Sequence, residues 1–487
     1  MKKRMFELSK NAGIATFAML LLFALSCAGP QRPSDDVEVL VSTVSHPEWS
    51  KNANLYEVNV RQFTPEGTFN AFAEHLPRLK EMGVDILWFM PVTPIGEVER
   101  KGTLGSYYSV KDYTGINPEF GTMEDFKNLV EKIHGMGMYV LVDWVANHTA
   151  WDHQWTETKP EFYYRDADGN VTPPHDTDWS DVIQLDYGNQ ELWDAMIGEM
   201  KFWLEEVNID GFRCDVAYMV PTEFWNMARQ ELEKVKPIFM LAEADHPELM
   251  EHAFNAGYSW TSHHAMNSIA RGDQNVSALD NYFFGKPLEN EDQQEEEVQA
   301  VTYTFDRSVS HYPIGTYKIN FIDNHDENSW AGTVRERLGD GKKAFAVKIF
   351  TVNGMPLLYN GQEAGLDKRL EFFEKDEIDW SDLRYEEFYA TLIALKHENK
   401  ALWNGLAGGP MKRITTNDDL NVFAFTREKE NNKVFVVLNL SPQPRTVSFV
   451  SGEFDGDYYV LFTDEQVSIS DDYTLEMDAW GYKVFYR

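Results

Sequence analysis

The chain has 487 residues, 43% of them hydrophobic and 14% aromatic, and a formal net charge of -35. That length supports a large buried core, most simply one big domain with a smaller appendage. A field of that sign repels nucleic acid and anionic lipid, so neither is expected as a partner of the folded surface, whereas a neutral ligand does not feel it.

The N-terminus opens with Lys2, Lys3 and Arg4, followed by the apolar run "GIATFAMLLLFAL" from Gly13 to Leu25. The run is of signal-peptide length and too short for a spanning helix. It ends at Ser26-Cys27 and resembles a bacterial lipoprotein signal, with Cys27 as the lipidated first mature residue, although Ala24 and Leu25 are swapped relative to the usual order. An ordinary cleaved signal is the alternative. The expectation is a signal segment 1–26, a polar tether 27–50, and attachment to membrane through a lipid on Cys27. That places the protein at a cell envelope, on the surface or the periplasmic face of a Gram-negative outer membrane. The only other cysteine, Cys214, falls in a predicted buried strand, so no disulfide to Cys27 is expected.

From Leu55 onward short apolar runs alternate with helical patterns. "LYEVNV" (55–60) reads as the first strand, and "TFNAFAEHLPRLKEMG" as a helix stopped at Gly83. Then come "VDILWFMP", a helix opened by a capping-box-like Thr122/Asp125 pair, and "MYVLVDWV". "IDGFRCD", "IFMLAE", "YKINFID" and "MPLLYNG" complete seven clear strands, with a weaker eighth near "AGYSWT" (256–261). Continuous apolar strands alternating with helices predict a parallel sheet covered on both faces. Asp143, Asp215, Glu243 and Asp326 stand at or just past the C-terminal ends of four strands. Carboxylates spread over so many strand ends fit the single mouth of a (β/α)8 TIM barrel better than the one switch point of an open sheet. The barrel is expected over 51–400. It includes a long Trp-, Asp-, Pro- and Gly-rich insertion after the third strand, 149–189, of the kind that is usually functional. Short alternating strands from 401 to 487 predict a C-terminal antiparallel β-sandwich domain. "ENEDQQEEE" (289–297) reads as a solvated surface segment.

Arg213 and Asp215 lie two apart in "DGFRCD" and so share one face of their strand, while Cys214 points the other way as packing. Alone, the pair is as readily a buried ion pair that holds the barrel as a functional one. Several carboxylates at one mouth can cleave a glycosidic bond or hold a metal; His148 and His325 nearby keep a metal-dependent hydrolase open. Trp88, Tyr107, Tyr108, Trp144, Trp151 and Trp260 lie near the same strand ends, and sugar rings stack on such faces, although each alone is more simply core.

The motifs, in order, resemble the α-amylase family, glycoside hydrolase family 13, over essentially everything after the tether. "DWVANH" (143–148), "GFRCD" (211–215), "LAE" (241–243) and "FIDNHD" (321–326) are similar to the family's four motif regions. "GMPLLYNGQE" (354–363) is similar to its eighth-strand signature, and "SYYSVKDYTGINPEFGT" (106–122) to the stretch that carries a sugar-stacking tyrosine. The resemblance implies Asp215 as nucleophile and Glu243 as acid/base. It further implies Asp326 as transition-state stabiliser, and Tyr108 (Tyr107 as the alternative), His148, Arg213 and His325 as substrate-binding residues. In that scheme Arg213 lowers the pKa of Asp215 and keeps it ionised.

The resemblance departs after the nucleophile. Asp215-Val216-Ala217-Tyr218 carries no Lys-His pair, which puts long-chain endo action and a calcium site between barrel and insertion in doubt. Asn147 remains as one calcium ligand, and "RDADGN" (165–170) reads as a plain turn before a calcium loop. No cofactor is required for the chemistry, no metal ligand is assigned, and a structural calcium stays open. The leading reading is a retaining hydrolase of α-1,4 bonds in starch-type α-glucans or malto-oligosaccharides. A transglycosylase or isomerase on the same site, and a non-catalytic glycan-binding protein, are the alternatives.

Overall fold

The computed structural model describes residues 41–285 and 312–487. The signal segment, Cys27, tether residues 27–40 and the acidic run 289–297 lie outside the described residues. The chain threads β1 (Leu55–Val58), β2 (Ile86–Phe89) and β3 (Tyr139–Trp144), then a hairpin of β4 (His148–Ala150) and β5 (Val182–Gln184) inside the insertion. It continues through β6 (Gly211–Cys214), β7 (Phe239–Ala242), β8 (Ala256–Tyr258), β9 (Tyr317–Asn320) and β10 (Met355–Tyr359). Among the described residues β1, β2, β3, β6, β7, β8, β9 and β10 form a closed, all-parallel barrel in that order, sealed by β1 on β10 with Glu57 opposite Tyr359. The TIM barrel expected from the strand ends is present, and the weak eighth strand is β8.

The period of two sorts the strands into layers. Leu55, Ile86, Trp88, Leu141, Phe239, Leu241, Ala256 and Ile319 pack together in the barrel interior, while Phe212, Cys214, Met240 and Val140 pack outward against the helices. Cys214 is fully buried in that outer layer, as expected. Two residues further along the inward face the apolar side chains give way to charge: Leu55 to Glu57, Leu141 to Asp143, Leu241 to Glu243. One end of the barrel is therefore an oily plug and the other a charged mouth.

Two local expectations change. The helix predicted after β1 is broken into Phe69–Ala73 and Leu76–Met82. Pro77 has no N–H to give the carbonyl of Ala73, which Lys132 Nζ takes instead at 3.1 Å. The end of the tether is also docked. His46 stacks on Tyr317 at 3.9 Å and Trp49 on Tyr139 at 4.0 Å, at the N-terminal ends of β9 and β3, where they cover the oily end. The capping box that opens the helix Met123–Gly135 has both of its hydrogen bonds, Asp125 N to Thr122 Oγ1 and Thr122 N to Asp125 Oδ2.

The C-terminal region adds β11 (Met411–Arg413), β12 (Thr415–Thr416), β13 (Val422–Lys429), β14 (Asn432–Asn439) and β15 (Arg445–Ser451). It ends with β16 (Gly456–Val460), β17 (Glu465–Ile469), β18 (Thr474–Met477) and β19 (Tyr482–Tyr486). These form antiparallel sheets of six and three strands around a core that includes Phe435, Phe449, Phe454 and Phe485. Arg427, fully buried, reaches out of this domain to the carbonyls of Val352 (2.7 Å) and Trp403 (2.9 Å), fixing it to the barrel.

Gly211 begins the strand that carries Arg213. Its φ is 152°, and a Cβ there would stand 1.8 Å from the carbonyl oxygen of Phe239. No side chain fits between β6 and β7 at this point. Gly211→Ala is expected to destabilise the fold by about 2–4 kcal/mol, read as a lower urea midpoint. An unchanged midpoint would mean the two strands can separate freely here.

Candidate active site

Arg213 is the hub of the mouth. Its guanidinium has no exposed surface, and Trp88 and Tyr258 lie against it with ring centroids at 4.9 and 5.7 Å. Nη1 donates to Asp143 Oδ1 at 2.9 Å and to Asp215 Oδ1 at 3.1 Å. Nη2 lies 3.0 Å from Glu243 Oε2. Strand register explains the convergence. Asp143 pairs laterally with Arg213 across β3 and β6, and Glu243 N bonds Cys214 O across β6 and β7, so Asp215 and Glu243 are lateral neighbours on adjacent strands. Neighbouring strands run about 4.8 Å apart.

Val216, directly after Asp215, is in the left-handed region at φ 36°, strained for a β-branched residue. The turn aims its N–H at Glu243 Oε2, 2.8 Å away. Backbone strain just past β6 thus secures the carboxylate just past β7.

On the other side of the mouth, Tyr108 donates its hydroxyl proton to Asp143 Oδ2 at 3.0 Å and meets His325 Nε2 at 2.8 Å. Its ring is stacked on that of His325. Tyr107 bonds Asn59 instead, beneath the guanidinium of Arg61, and belongs to the packing. His325 Nδ1 bonds Glu57 Oε1 at 2.5 Å, and Nε2 lies 3.4 Å from Asp326 Oδ2. Asp326 is the open member of the set, with 39% of its side chain exposed. His148 sits on β4 with its ring beside Trp179 and near the backbone of Tyr108; the structure shows no contact between it and the carboxylates.

One guanidinium faces three carboxylates, and this sets the protonation. Burial pushes Asp215 well above the usual carboxylate range, the charge of Glu243 adds to that, and the pull of Arg213 does not offset them. The expected lowering of the Asp215 pKa by Arg213 is therefore corrected: the pull has the expected sign and the smaller size. Burial likewise raises Asp143 to about 6 against Arg213. Burial would lower His325, but Asp326 and Glu57 outweigh it and hold the ring up at about 9. Burial lowers His148 to about 3, so that ring is neutral.

Among the described residues the stretch around Asn147 and 165–170 offers no preformed calcium ligand set. The Asn147 carboxamide oxygen accepts from Gln184 Nε2 at 2.9 Å. In "RDADGN", Asp166 Oδ1 accepts the N–H groups of Asp168 and Asn170, the geometry of a turn closed on itself. Among the described residues no three His, Cys, Asp or Glu side chains gather as metal ligands.

Three groups at the mouth carry no clear sequence signal. Glu57 lies beneath His325. Trp330, 56% exposed, packs against Phe372 (5.3 Å) and Phe373 (5.8 Å), and Phe372 runs nearly parallel to Tyr108. Tyr218, 53% exposed, stacks on His246 at 5.4 Å. The first aromatic ledge follows β9 and β10; the second follows β6 and β7, the strands of Asp215 and Glu243. They occupy separate arcs of the rim.

A closed parallel barrel with a cluster of buried carboxylates at its C-terminal mouth is an enzyme architecture suited to cleaving glycosidic bonds. The catalytic domain of the α-amylases matches residues 5–179 and 174–387, and the C-terminal domain of maltogenic amylases matches 413–484. The chain belongs to the α-amylase family of glycoside hydrolases. The α-amylase MalA of Haloarcula japonica is 26% identical over 84% of this chain, which spans 60% of that relative's length. A cyclomaltodextrinase of a Bacillus species is 24% identical over 85% of this chain and 77% of its own. The crystal structure of a noncanonic maltogenic α-amylase, AmyB of Thermotoga neapolitana, superposes with a TM-score of 0.77 at 28% identity, covering 90% of this chain and 98% of that one.

The raised Asp215 pKa has a consequence for stability. The folded state holds this proton more tightly than the unfolded chain does. Below the unfolded value of about 4 the group contributes no difference, and stability is lost as pH rises above it toward the folded value. Asp215→Asn is expected to melt above the wild type near neutral pH, with the gap closing toward about pH 4. Thermal melts across that range check it; a gap that stays constant would show that the buried charge is not its source.

Proposed function

We propose that the protein is a retaining α-glucan hydrolase that cleaves α-1,4 bonds in starch-type glucans or malto-oligosaccharides by double displacement. We further propose that a lipid on Cys27 holds it at the envelope of a Gram-negative bacterium, a reading supported by the N-terminal signal pattern. The observation that carries the enzymatic reading is the lateral pairing of Asp215 and Glu243 on adjacent strands, both at one guanidinium. Retaining pairs stand roughly 5–5.5 Å apart and inverting pairs roughly 6.5–9.5 Å, and the interstrand spacing favours the former.

Asp215 attacks the anomeric carbon and forms a covalent β-glycosyl ester as the glycosidic bond breaks. Glu243 gives its proton to the leaving oxygen. It then takes a proton from water, which attacks the same carbon, frees Asp215 and releases the α-anomer. The pair needs one proton between its two carboxyls, and the surplus of negative charge around Arg213 retains it. A sugar whose anomeric carbon rests on Asp215 favours the arrangement with the proton on Glu243. Asp326, with His325, meets the ring hydroxyls and the positive charge of the oxocarbenium-like transition state. Tyr108 offers its face to the same sugar, and His148 borders it.

Transfer of the glycosyl group to a second sugar is the other reading. The exposed Tyr218–His246 stack favours it, because it follows the strands that lead to Asp215 and Glu243 and offers a free aromatic face for a second sugar.

The test is a product time course on soluble starch, maltoheptaose and pullulan, with the anomer of the first products read by NMR. The expected result is α-anomers from wild type and none from Asp215→Asn. Initial β-anomers would refute a retaining mechanism, and products longer than maltoheptaose would assign transfer. Trp330→Ala is expected to raise KM for maltoheptaose several-fold and leave that for maltotriose nearly unchanged, since a lost stacking contact is worth about 0.5–1.5 kcal/mol. Equal effects on both substrates would take the ledge out of the binding cleft.

A further inference from the structure

Glu57 is an unusual residue for its position. It is the second inward side chain of β1, two past the core residue Leu55, and it has no exposed surface. A carboxylate in that environment costs several kcal/mol unless it is paired. The one hydrogen bond of its side chain among the described residues is to His325 Nδ1, and Oε2 has no hydrogen-bond partner.

The donors and acceptors along this line can be assigned. Tyr108 has one hydroxyl proton and gives it to Asp143 Oδ2, so its oxygen must accept from His325 Nε2. Glu57 can only accept when ionised, so His325 Nδ1 must also be a donor. Both ring nitrogens then carry protons. The hydrogen bonds run from His325 through Tyr108 to Asp143, which also accepts from Arg213 on its other oxygen. We propose that Glu57 is a positioning residue of this active site, which holds His325 as an imidazolium so that its Nε2–H points permanently toward Tyr108 and the sugar bound beside Asp326.

The groups that face this pair do not all pull the same way, and burial raises the Glu57 carboxyl against the pull of His325 and Arg213. Asp326 and Asp143 favour the cationic ring, and Arg213 on β6 opposes it. Tyr258 on β8, Tyr359 on β10 and Asp323 are the other titratable neighbours of Glu57, and none of them supplies a competing cation. The raised His325 pKa has the same origin. A simple structural role would need only a side chain of this size, which glutamine supplies.

The assignment of a sugar to Nε2 rests on the reading of the site as glucan-cleaving, so the test has one arm with turnover and one without. In Glu57→Gln, kcat/KM on maltoheptaose at neutral pH is expected to fall roughly tenfold or more, the scale on which a carboxylate that orients a histidine acts. The alkaline limb of the profile is expected to move at least one unit lower, and Glu57→Asp to restore part of both. Profiles that superpose on the wild type overturn the proposal. In the second arm, histidine-labelled wild-type protein is titrated by NMR, with His325→Gln to assign the signal. A ring still doubly protonated at about pH 8 supports the proposal, and one that titrates near the ordinary value of about 6.5 overturns it even if Glu57→Gln does not fold. Wild-type protein without turnover but with the imidazolium intact would refute the glucan reading and leave Glu57 in its role.

Discussion

The active end of this molecule depends on one guanidinium. Arg213 has no contact with water, and taking an arginine there is tolerable only because Asp143, Asp215 and Glu243 meet it from three adjacent strands. The same contacts fix the carboxylates. Each is on a different strand, and the rigid planar fork of the guanidinium sets where their oxygens lie relative to one another. Gly211 lets the arginine strand approach β7, and the strained turn at Val216 closes the last gap to Glu243. Removing the arginine would leave three buried carboxylates without a cation, a loss to the mouth and to the fold together.

The barrel can carry this charge because its two ends differ. Below the cluster the interior is apolar, and His46 and Trp49 stack over the strand starts, so the lower layers supply the hydrophobic burial that the upper layer lacks. The C-terminal domain adds stiffness from the side: Arg427 and Lys396 are buried where it meets the barrel and bond main-chain carbonyls near Val352, Gly354 and Leu402. Strain at Val216 and the crowded, buried carboxylates around Arg213 are thus held by packing elsewhere, the usual relation between a stable scaffold and an unfavourable site.

How much of this was legible in the sequence follows from the range of each interaction. The period of two put Arg213 and Asp215 on one face and Cys214 on the other, and strand-end carboxylates identified the closed barrel, because both signals are local. The sequence left Tyr107 open beside Tyr108, because neighbours in the chain differ only in their distant partners, His325 for Tyr108 and Asn59 for Tyr107. The protonation of Asp215 was misjudged because a sequence shows that an arginine is near, not how many carboxylates share it or how little water reaches them. Glu57 was overlooked for the same kind of reason: on "LYEVNV" it is one polar residue in a strand, and its partner His325 is far along the chain. Trp330 and Phe372 lie on different loops and form a ledge only after the barrel closes. Pro77 was readable, and weighing its missing N–H against the apolar spacing would have split that helix.

The balance of charge also explains how an acidic protein can act on a neutral substrate. Around the mouth stand Arg213 and the His325 imidazolium against Glu57, Asp143, Asp215, Glu243 and Asp326; even with one shared proton, negative charge is in excess. In the proposed reaction a neutral sugar gains little from that field in its ground state and would be held by ring stacking and hydroxyl contacts. When the glycosidic bond breaks, positive charge develops on the ring, and the same field, preorganised in a partly dehydrated pocket, acts on it at full strength. On the proposed mechanism, the excess that raises Asp215 and costs the fold stability would act on the transition state rather than on substrate binding, which is the condition for it to raise kcat.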